Sequence, residues 1–471
     1  MSLNSTTSLL DIPNSLPVKA TFDIRTSWDI IRSCVATLFA CLWVSVHPNM
    51  SPPGHSDIRV FFAKVELMIW TLLFPEWIIL WAFRQWLGAR ALSKEFKDYG
   101  WTMSHGFFVQ MGGFVETRVV GCTRVLLPDD LFSWMSKHER VPKVTTQQIS
   151  RRSKGDGFSK AIVIAQTSWF VAQCIGRHVK GLFITSAELS TLAYAILNGV
   201  MYLLWWHKPL DCQTPVELRY SYTDYPNDAF YPYHGSQVSR PSTSLHLESL
   251  RFASTPELQR PQRDPEPERI VTTTNPAAAL PETPIKHDPK GTRRILLEVL
   301  RFPYLRLSSM RISRTSVDQD LMFYAYPASK SPTDNFRDFR EGFFWGHILL
   351  VLVCLIFGSV HILAWFSDFP SHSEHLLWRI CSVAITVLPI IYALPNLLLR
   401  TVLPPEEVRG GLTGNIPLKG LTRFLRFTTL AIPPLYLIAR LFLLIEMMIS
   451  FRNLPSSAFV NVSWTAYFPH V

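Results

Sequence analysis

Residues 65–83 read VELMIWTLLFPEWIILWAF, and this stretch decides the fold class of the chain. A helix needs about 20 mostly apolar residues to cross a bilayer, and this run is long enough. Glu76 lies near its centre, directly after Pro75. Because an ionisable side chain at that depth is costly in hydrocarbon, Glu76 is predicted to face the interior of a helix bundle and to mark a functional site. The sequence therefore predicts a multi-pass integral membrane protein.

The composition supports a membrane protein and gives no sign of a nucleic-acid partner. The chain has 471 residues, of which 48% are hydrophobic, and its mean hydropathy is +0.14. Basic residues in cytoplasmic loops explain the net charge of +10, since no basic run alternates with aromatic residues in a foldable domain. The seven cysteines include no C-x-x-C pair, so neither a disulfide framework nor a metal site is predicted, and no cofactor is expected.

Seven apolar runs are predicted to be transmembrane helices. They are residues 28–46, 65–83, 158–175, 187–206, 342–366, 376–399 and 428–449. The predicted fold is an all-α membrane protein with about seven helices in a 4+3 arrangement, split by a disordered linker, with a small cytoplasmic subdomain after helix 2. The segments are a polar tail (1–27), helices 1–2 (28–83), the subdomain (84–157), helices 3–4 (158–206), the linker (207–340), helices 5–7 (341–450) and a C-terminal tail (451–471).

The linker is predicted to be largely disordered, because a stretch rich in Pro, Ser, Thr, Glu and Arg cannot bury enough apolar surface to fold. Thr255 and Thr283 each precede a proline there, and they are either phosphorylation sites or parts of an unmodified spacer. At the end of the fourth predicted helix, Trp205 and Trp206 are followed by Lys208. This order is typical of an aromatic belt and a basic stop at the membrane surface.

Loop charges predict the orientation of the chain in the membrane. The connections after helices 2, 4 and 6 carry more Lys and Arg than the others, so the positive-inside rule places them in the cytoplasm. The N-terminus is then cytoplasmic and the C-terminus lies outside, in a membrane of the secretory pathway or in the plasma membrane. In this orientation the sequons at Asn49 and Asn461 are lumenal and are candidate glycosylation sites.

Arg440 is the second deep charge, and it follows the helix-kinking prolines 433 and 434 in the last predicted span. Since Arg440 and Glu76 are at similar estimated depth, we hypothesise that they pair between helices. Gln166 and Gln173 form a polar stripe with heptad spacing on helix 3, and Asn198 adds an amide in helix 4. These groups either fix helix packing or line a pathway, and packing is the commoner role.

Residues 153–160, SKGDGFSK, contain glycine and lysine, but they lack the order of a phosphate-binding loop and follow no strand. They are predicted to contact anionic lipid headgroups instead. The expected partners are thus the lipid bilayer, anionic headgroups, and a small molecule or ion whose identity the sequence does not give.

Short motifs spread over nearly the whole chain, apart from the linker, resemble those of a known family. They are WVSVHPN (43–49), FPE (74–76), WT with HGFF (101–108), MGGF (111–114), SKGD with SK (153–160), WW with KPL (205–210) and WT with FPH (464–470). In this combination the chain resembles a large fungal family of multi-pass membrane proteins with no established activity. A signal-like start in some relatives implies an external N-terminus, which is the opposite of the orientation predicted from loop charges.

Three functional interpretations follow from these residues. The leading one is non-enzymatic transport or sensing of a small molecule or ion, carried by Glu76, Arg440 and the polar stripe. The second is a membrane-embedded enzyme for a hydrophobic substrate, similar to a terpene cyclase, which would need an acidic pair converging on one cavity. The third is a non-catalytic membrane scaffold. No catalytic motif in the sequence is strong enough to name an activity.

Overall fold

The structure, a computed structural model, describes residues 24–51, 55–117, 123–153, 157–219, 230–232, 324–326, 336–367, 369–402 and 416–462. Helix predominates within these residues. The predicted phosphorylation sites Thr255 and Thr283 lie outside the described residues, as do residues 464–470 and most of the predicted linker. Disorder in the linker therefore stays a prediction.

Eleven α-helices and five strands make up the regular structure of the described residues. The helices are α1 (Ser27–Ser45), α2 (Asp57–Leu73), α3 (Pro75–Glu95), α4 (Met103–Gln110), α5 (Pro128–His138), α6 (Thr146–Arg152), α7 (Gly157–Val179), α8 (Ser186–Leu204), α9 (Phe336–Ile362), α10 (His372–Val402) and α11 (Ile416–Ile449). The strands are β1 (Phe114–Thr117), β2 (Thr123–Val125), β3 (Arg140–Pro142), β4 (Val216–Arg219) and β5 (Phe230–Pro232).

Five helical segments of the described chain are long and apolar enough to cross a membrane. They are Ser27–Ser45, Ser186–Leu204, Phe344–Phe366, His372–Leu394 and Ala431–Arg452. They correspond to the first, fourth, fifth, sixth and seventh predicted spans, so the structure is consistent with an integral membrane protein. The third predicted span is also a helix, α7, but it is not among these five.

The second predicted span, residues 65–83, is not one continuous helix, because the chain breaks at Phe74. α2 and α3 meet there at a bend of 114°. Pro75 has no N–H with which to bond the carbonyl of Thr71, so the first helix ends at this point. Proline is favoured at the first position of a helix, and Pro75 begins α3. The Leu72 carbonyl at the end of α2 accepts a hydrogen bond from the Tyr194 hydroxyl at 2.6 Å.

α1 and α8 run in the same direction through the bundle. Their first residues lie together, since Arg25 Nη1 lies 2.5 Å from Glu188 Oε1. Towards their other ends, Ser45 Oγ donates to Asn198 Oδ1 at 2.8 Å. α7 runs the opposite way, because Arg177 near its last residue lies 4.0 Å from Glu188 at the start of α8. We call the two ends of the bundle the Glu188 end and the Lys208 end.

α2 and α3 form a hairpin that enters the bundle from the Lys208 end and returns to it. In α2, Lys64 Nζ lies 2.6 Å from Asp211 Oδ2. In α3, Gln85 Oε1 accepts from Lys208 Nζ at 2.9 Å. Both contacts are made with residues that follow the end of α8, so the outer parts of both helices lie there. The tip of the hairpin, with Glu76 in the first turn of α3, lies inside the bundle.

The Glu188 end joins the first and last described elements of the chain. The backbone N–H of Arg25 donates to the Phe459 carbonyl at 2.9 Å, and Ile24 forms a β-bridge with Val460. Arg177, which is 2% exposed, donates to the carbonyls of residues 457, 458 and 460. The start of α1 therefore lies beside the last described residues, which follow α11. We call these contacts the terminal clamp.

The all-α prediction is wrong for the subdomain that follows the hairpin. β1 pairs antiparallel with β2 and parallel with β4, while β3 pairs antiparallel with β5. α4 gives way to β1 through Gly112, whose φ of +88° suits glycine, and Phe114 and Val115 then bury their side chains. β4 comes from the predicted linker, so the folded chain continues beyond residue 207. Asp129 and Asp130 lie in the first turn of α5, where acidic side chains are favoured.

Candidate functional site

A buried ion pair joins the tip of the hairpin to the last helix. Arg440 in α11 donates from Nη2 to Glu76 Oε1 at 2.9 Å, and each side chain is 2% exposed. Glu76 lies in the first turn of α3, where the partial positive charge of a helix N-terminus favours a carboxylate. The pairing hypothesised from the sequence is therefore present in the structure.

Aromatic rings enclose the guanidinium group of Arg440. Its Cζ lies 3.7 Å from the centroid of the Phe357 ring, 5.4 Å from that of Tyr436 and 5.5 Å from that of Tyr194. Cations are attracted to ring faces within about 6 Å, so these rings offset part of the cost of removing the charge from water. The rings belong to α8, α9 and α11, and Glu76 adds α3. Arg440 of α11 thus contacts three other helices at one point.

The ion pair leaves buried polar atoms without hydrogen-bond partners among the described residues. They are Glu76 Oε2, Arg440 Nε and the Tyr436 hydroxyl. A buried polar atom without a partner costs about 1–3 kcal/mol, so a further polar group bound here would be stabilised. Glu76 Oε2 can accept a proton or contact a cation, whereas the other two atoms can donate hydrogen bonds. The arrangement suits a proton or small ion that competes with Arg440 for Glu76.

The sequence-based selection did not include the residues that surround the pair. Tyr436 precedes Arg440 by four residues and so lies on the same face of α11, a spacing that is visible in the sequence. Tyr194 and Phe357 lie on other helices, where no local pattern marks them. His361 extends the cluster, with its ring centroid 4.4 Å from that of Phe357.

Gln166 and Asn198, two of the other polar residues predicted inside the bundle, contact α1 and not the ion pair. Gln166 Nε2 donates to Thr37 Oγ1 at 3.2 Å, and Asn198 Oδ1 accepts from Ser45 as described above. Gln173 is half-buried on the same helix as Gln166. Contacts between helices through amides and hydroxyls fit the interpretation that these residues fix helix packing.

A second polar cluster surrounds Lys208, just after α8. The ammonium group donates to the His47 carbonyl at 2.5 Å, to Asn49 Oδ1 at 3.0 Å and to Gln85 Oε1 at 2.9 Å. These three acceptors match the three N–H bonds of a protonated lysine, and all three are neutral.

Lys208 is not the exposed basic stop that the sequence predicted. The residue is 2% exposed, and its Nζ lies 4.8 Å from the ring centroid of Trp81 and 4.7 Å from that of Trp205. Burial holds the pKa of Lys208 well below its usual range, because the charged form is costly away from water. The sequence shows the Trp-Trp and Lys-Pro-Leu motifs but not that the lysine points inward.

A short piece of the predicted linker binds in the Lys208 cluster. The backbone carbonyl of Tyr324 accepts hydrogen bonds from Gln85 Nε2 at 2.7 Å, Trp81 Nε1 at 3.0 Å and Asn49 Nδ2 at 3.3 Å. A carbonyl oxygen has two lone pairs, so three converging donors exceed what a neutral carbonyl ordinarily uses. We call Asn49, Trp81 and Gln85 the three-donor site.

The same piece of chain is held again two residues later. The backbone N–H of Tyr326 donates to Gln110 Oε1 at 3.0 Å, and Tyr326 is 5% exposed. Gly88 in α3 makes this approach possible, since a Cβ atom there would lie 2.7 Å from both the Tyr326 carbonyl oxygen and Gln110 Oε1. A side chain at position 88 would therefore push the segment away.

The two predicted glycosylation sites lie in different surroundings. Asn49 uses its amide nitrogen in the bond to Tyr324, and a glycan on that nitrogen would have to break the three-donor site. Asn461 is half-buried beside Val460, whose carbonyl accepts from Arg177 at 2.7 Å. Glycosylation stays a prediction at both positions.

Comparison with known proteins places these residues in a family. Residues 18–228 and 347–471 match the model of a family of unknown function, DUF8562. The chain belongs to this family. Glu76 and Arg440 lie in the matched stretches, as do Lys208 and the three-donor site, whereas Tyr324 lies between them. No curated protein matches the chain, and no solved structure matches it.

Proposed function

We propose that this DUF8562 member is a multi-pass integral membrane protein that transports or senses a small molecule or ion, and that a proton or small cation acts on Glu76. The observation that supports the proposal is the buried Glu76–Arg440 pair at the break between α2 and α3. Broken helices whose ends face charged groups inside a bundle are a recurring feature of ion and substrate sites in transporters.

The ion pair offers a physical means of coupling. A proton or cation on Glu76 would weaken its attraction to Arg440, and the hairpin tip would then lose its charged contact with α11. Such a ligand shifts the equilibrium towards the separated arrangement only as far as it binds that arrangement better. Movement of the hairpin tip relative to α11 would open the site in a transporter, or would signal that the ligand is bound in a sensor.

We further propose six crossings and a re-entrant hairpin in place of seven crossings. Helices α1, α7, α8, α9, α10 and α11 cross, and α2 with α3 enters and leaves from the Lys208 end. The segments at that end carry most of the loop charge, including Arg84, Arg90, Lys94, Lys97, Arg151 and Arg152. The positive-inside rule makes it cytoplasmic, which puts both termini outside.

Tags at the two termini test this topology in intact cells. Antibody should reach both an N-terminal and a C-terminal tag without permeabilisation, because the terminal clamp joins the first and last described residues of the chain at the Glu188 end. A tag inserted after residue 260 in the linker should require permeabilisation. Labelling of only one terminal tag in intact cells would support seven crossings instead.

Reconstitution tests the proposed function directly. The purified full chain is placed in liposomes that contain a pH-sensitive dye, and an imposed membrane potential drives proton movement. Na⁺ and K⁺ gradients are applied in parallel with ion-sensitive dyes. We expect a flux for the native chain that falls to the level of empty liposomes in Glu76→Gln, with Glu66→Gln as the control because Glu66 lies on α2 away from the pair.

Sensing without flux requires a second measurement on the same samples. Hydrogen exchange of residues 72–80 should rise when pH falls or when the active cation is added, and this response should be lost in Glu76→Gln. If the native chain and Glu76→Gln give equal flux and equal exchange under every condition, the proposal fails.

A scaffold is the second candidate, because both charges are enclosed and Arg440 of α11 contacts three other helices. In that case Glu76→Gln lowers stability but leaves every ion response of the folded protein unchanged. An enzyme with two converging acids gains no support, since Glu76 faces a guanidinium group among the described residues.

A further inference from the structure

We propose that the three-donor site, with the Lys208 ammonium beside it, binds the carboxylate of a small molecule, and that the Tyr324 carbonyl occupies the site as an internal ligand. This site is separate from the Glu76–Arg440 pair. It would stand whether or not Glu76 takes part in transport or sensing.

The donor set favours an anionic oxygen over a neutral one. Three N–H groups converge on one oxygen at 2.7 to 3.3 Å. Hydrogen bonds to an ionised acceptor are stronger than those to a neutral carbonyl, and a carboxylate has lone pairs for all three donors.

Charge balance points the same way. Lys208 Nζ has only neutral hydrogen-bond acceptors, and within the part of the chain that the structure describes no carboxylate forms an ion pair with it. Because Gln85 and Asn49 each contact both the ammonium group and the Tyr324 carbonyl, an oxygen bound at the three-donor site lies close to that charge. A carboxylate there would balance a buried cation that a peptide carbonyl leaves unbalanced.

The internal ligand and the site come from different parts of the chain. The site residues lie within the stretch that matches the family, whereas Tyr324 lies between the two matched stretches. The site residues therefore lie in the part of the chain that the family model covers, whereas the segment that fills the site lies in the connection between the two matched stretches. A carboxylate ligand has to displace this segment in order to bind.

Gly88 provides a way to empty the site without changing any donor. Gly88→Ala places a methyl group 2.7 Å from the Tyr326 carbonyl oxygen, which should expel the segment. Gly199→Ala is the matched control, since a Cβ on that helical glycine meets no atom within 4 Å. Deletion of residues 324–326 removes the internal ligand by an independent route and replaces Gly88→Ala if that variant does not fold.

The first measurement is hydrogen exchange of the Tyr326 amide in the full-length protein. The amide should be protected in the native chain and in Gly199→Ala, and it should exchange freely in Gly88→Ala. Saturating N-acetyltyrosine should also release it in the native chain, because the probe carries a carboxylate where Tyr324 has its carbonyl.

The second measurement is calorimetric binding of N-acetyltyrosine and of the neutral N-acetyltyrosinamide. The acid should bind Gly88→Ala or the deletion variant at least about tenfold more tightly than the native chain, and at least about tenfold more tightly than the amide binds. Adding Trp81→Phe to either variant removes one donor while keeping a ring, and should weaken binding of the acid about tenfold.

Several results would overturn the proposal. Failure of the acid to bind once the segment is expelled would do so, as would equal binding of acid and amide. Equal affinity of the acid for native and emptied chains would show that Tyr324 does not compete for the site.

Discussion

Replacing Glu76 with Gln removes the negative charge that faces Arg440 and leaves an amide oxygen in its place. Removing one partner of a buried ion pair costs about 3–5 kcal/mol, because the remaining charge is uncompensated. Arg440 would keep the rings of Phe357, Tyr436 and Tyr194 and an acceptor for Nη2. We therefore expect a loss of about 3 kcal/mol, the lower part of that range.

The double variant separates charge pairing from packing. Arg440→Met removes the cation and leaves Glu76 alone, at a cost of about 3 kcal/mol. Glu76→Gln with Arg440→Met leaves no buried charge at the site, so its cost should fall below that of either single variant instead of reaching the sum of the two. The coupling free energy between the positions is then at least about 3 kcal/mol.

Unfolding by increasing the mole fraction of sodium dodecyl sulfate in mixed micelles, followed by circular dichroism, measures these free energies. Glu66→Gln is the control and should cost less than about 0.5 kcal/mol, since Glu66 is only half-buried. The reasoning is refuted if Glu76→Gln costs no more than this control. It is equally refuted if the costs of the single variants add in the double variant.

Three further predictions concern stability elsewhere. Tyr194→Phe should cost about 1–3 kcal/mol, because it removes the hydroxyl that donates to the Leu72 carbonyl at the end of α2. Tyr436→Phe removes a hydroxyl without a hydrogen-bond partner among the described residues, so it should cost less than about 0.5 kcal/mol. Gly358→Ala should cost about 1–3 kcal/mol, since its Cβ overlaps Thr386 on α10. Gly199→Ala should not destabilise the protein, because its Cβ meets no atom within 4 Å. Thermal unfolding in nanodiscs compares the two variants. Burial lowers the pKa of Lys208 in the folded chain below its unfolded value of 10.5, so between these two pKa values the unfolded chain binds more protons. The free energy of unfolding of the native chain, relative to that of Lys208→Met, should therefore rise with pH up to about 10.5. A difference between the two chains that does not change with pH would contradict this.

Local sequence patterns were sufficient where helix boundaries depend on local composition. α1 was predicted at residues 28–46 and is found at Ser27–Ser45, because one apolar run between polar flanks defines it. Residues 65–83 gave the apolar content and the proline correctly but not the 114° bend. A proline in the sequence indicates that a helix can break at that residue. The direction of the next helix depends on contacts with residues such as Tyr194, more than 100 residues away in the chain.

The depth of Glu76 and Arg440 could be estimated from the sequence, and that estimate was enough to suggest their pairing. The Lys208 cluster could not be found in this way, because its residues come from three segments: His47 with Asn49 after α1, Gln85 in α3, and Lys208 after α8. The sheets were missed for a similar reason. β1 has only four residues, and its partner β4 follows about 100 residues later in the chain, so no local sequence pattern predicts the pairing.

The terminal clamp has a consequence for the order in which the protein can be made. Arg25 and Arg177 are synthesised well before the carbonyls at residues 457 to 460 that accept their hydrogen bonds. The separation is 433 residues for Arg25 and about 280 for Arg177. During that interval the guanidinium groups can contact Glu188 and the Phe183 carbonyl, but their remaining N–H groups must be satisfied by water, lipid headgroups or another protein. The clamp can close only after residue 460 has been made, so a stop codon a few residues before position 457 would leave every proposed span present and the closing contact missing.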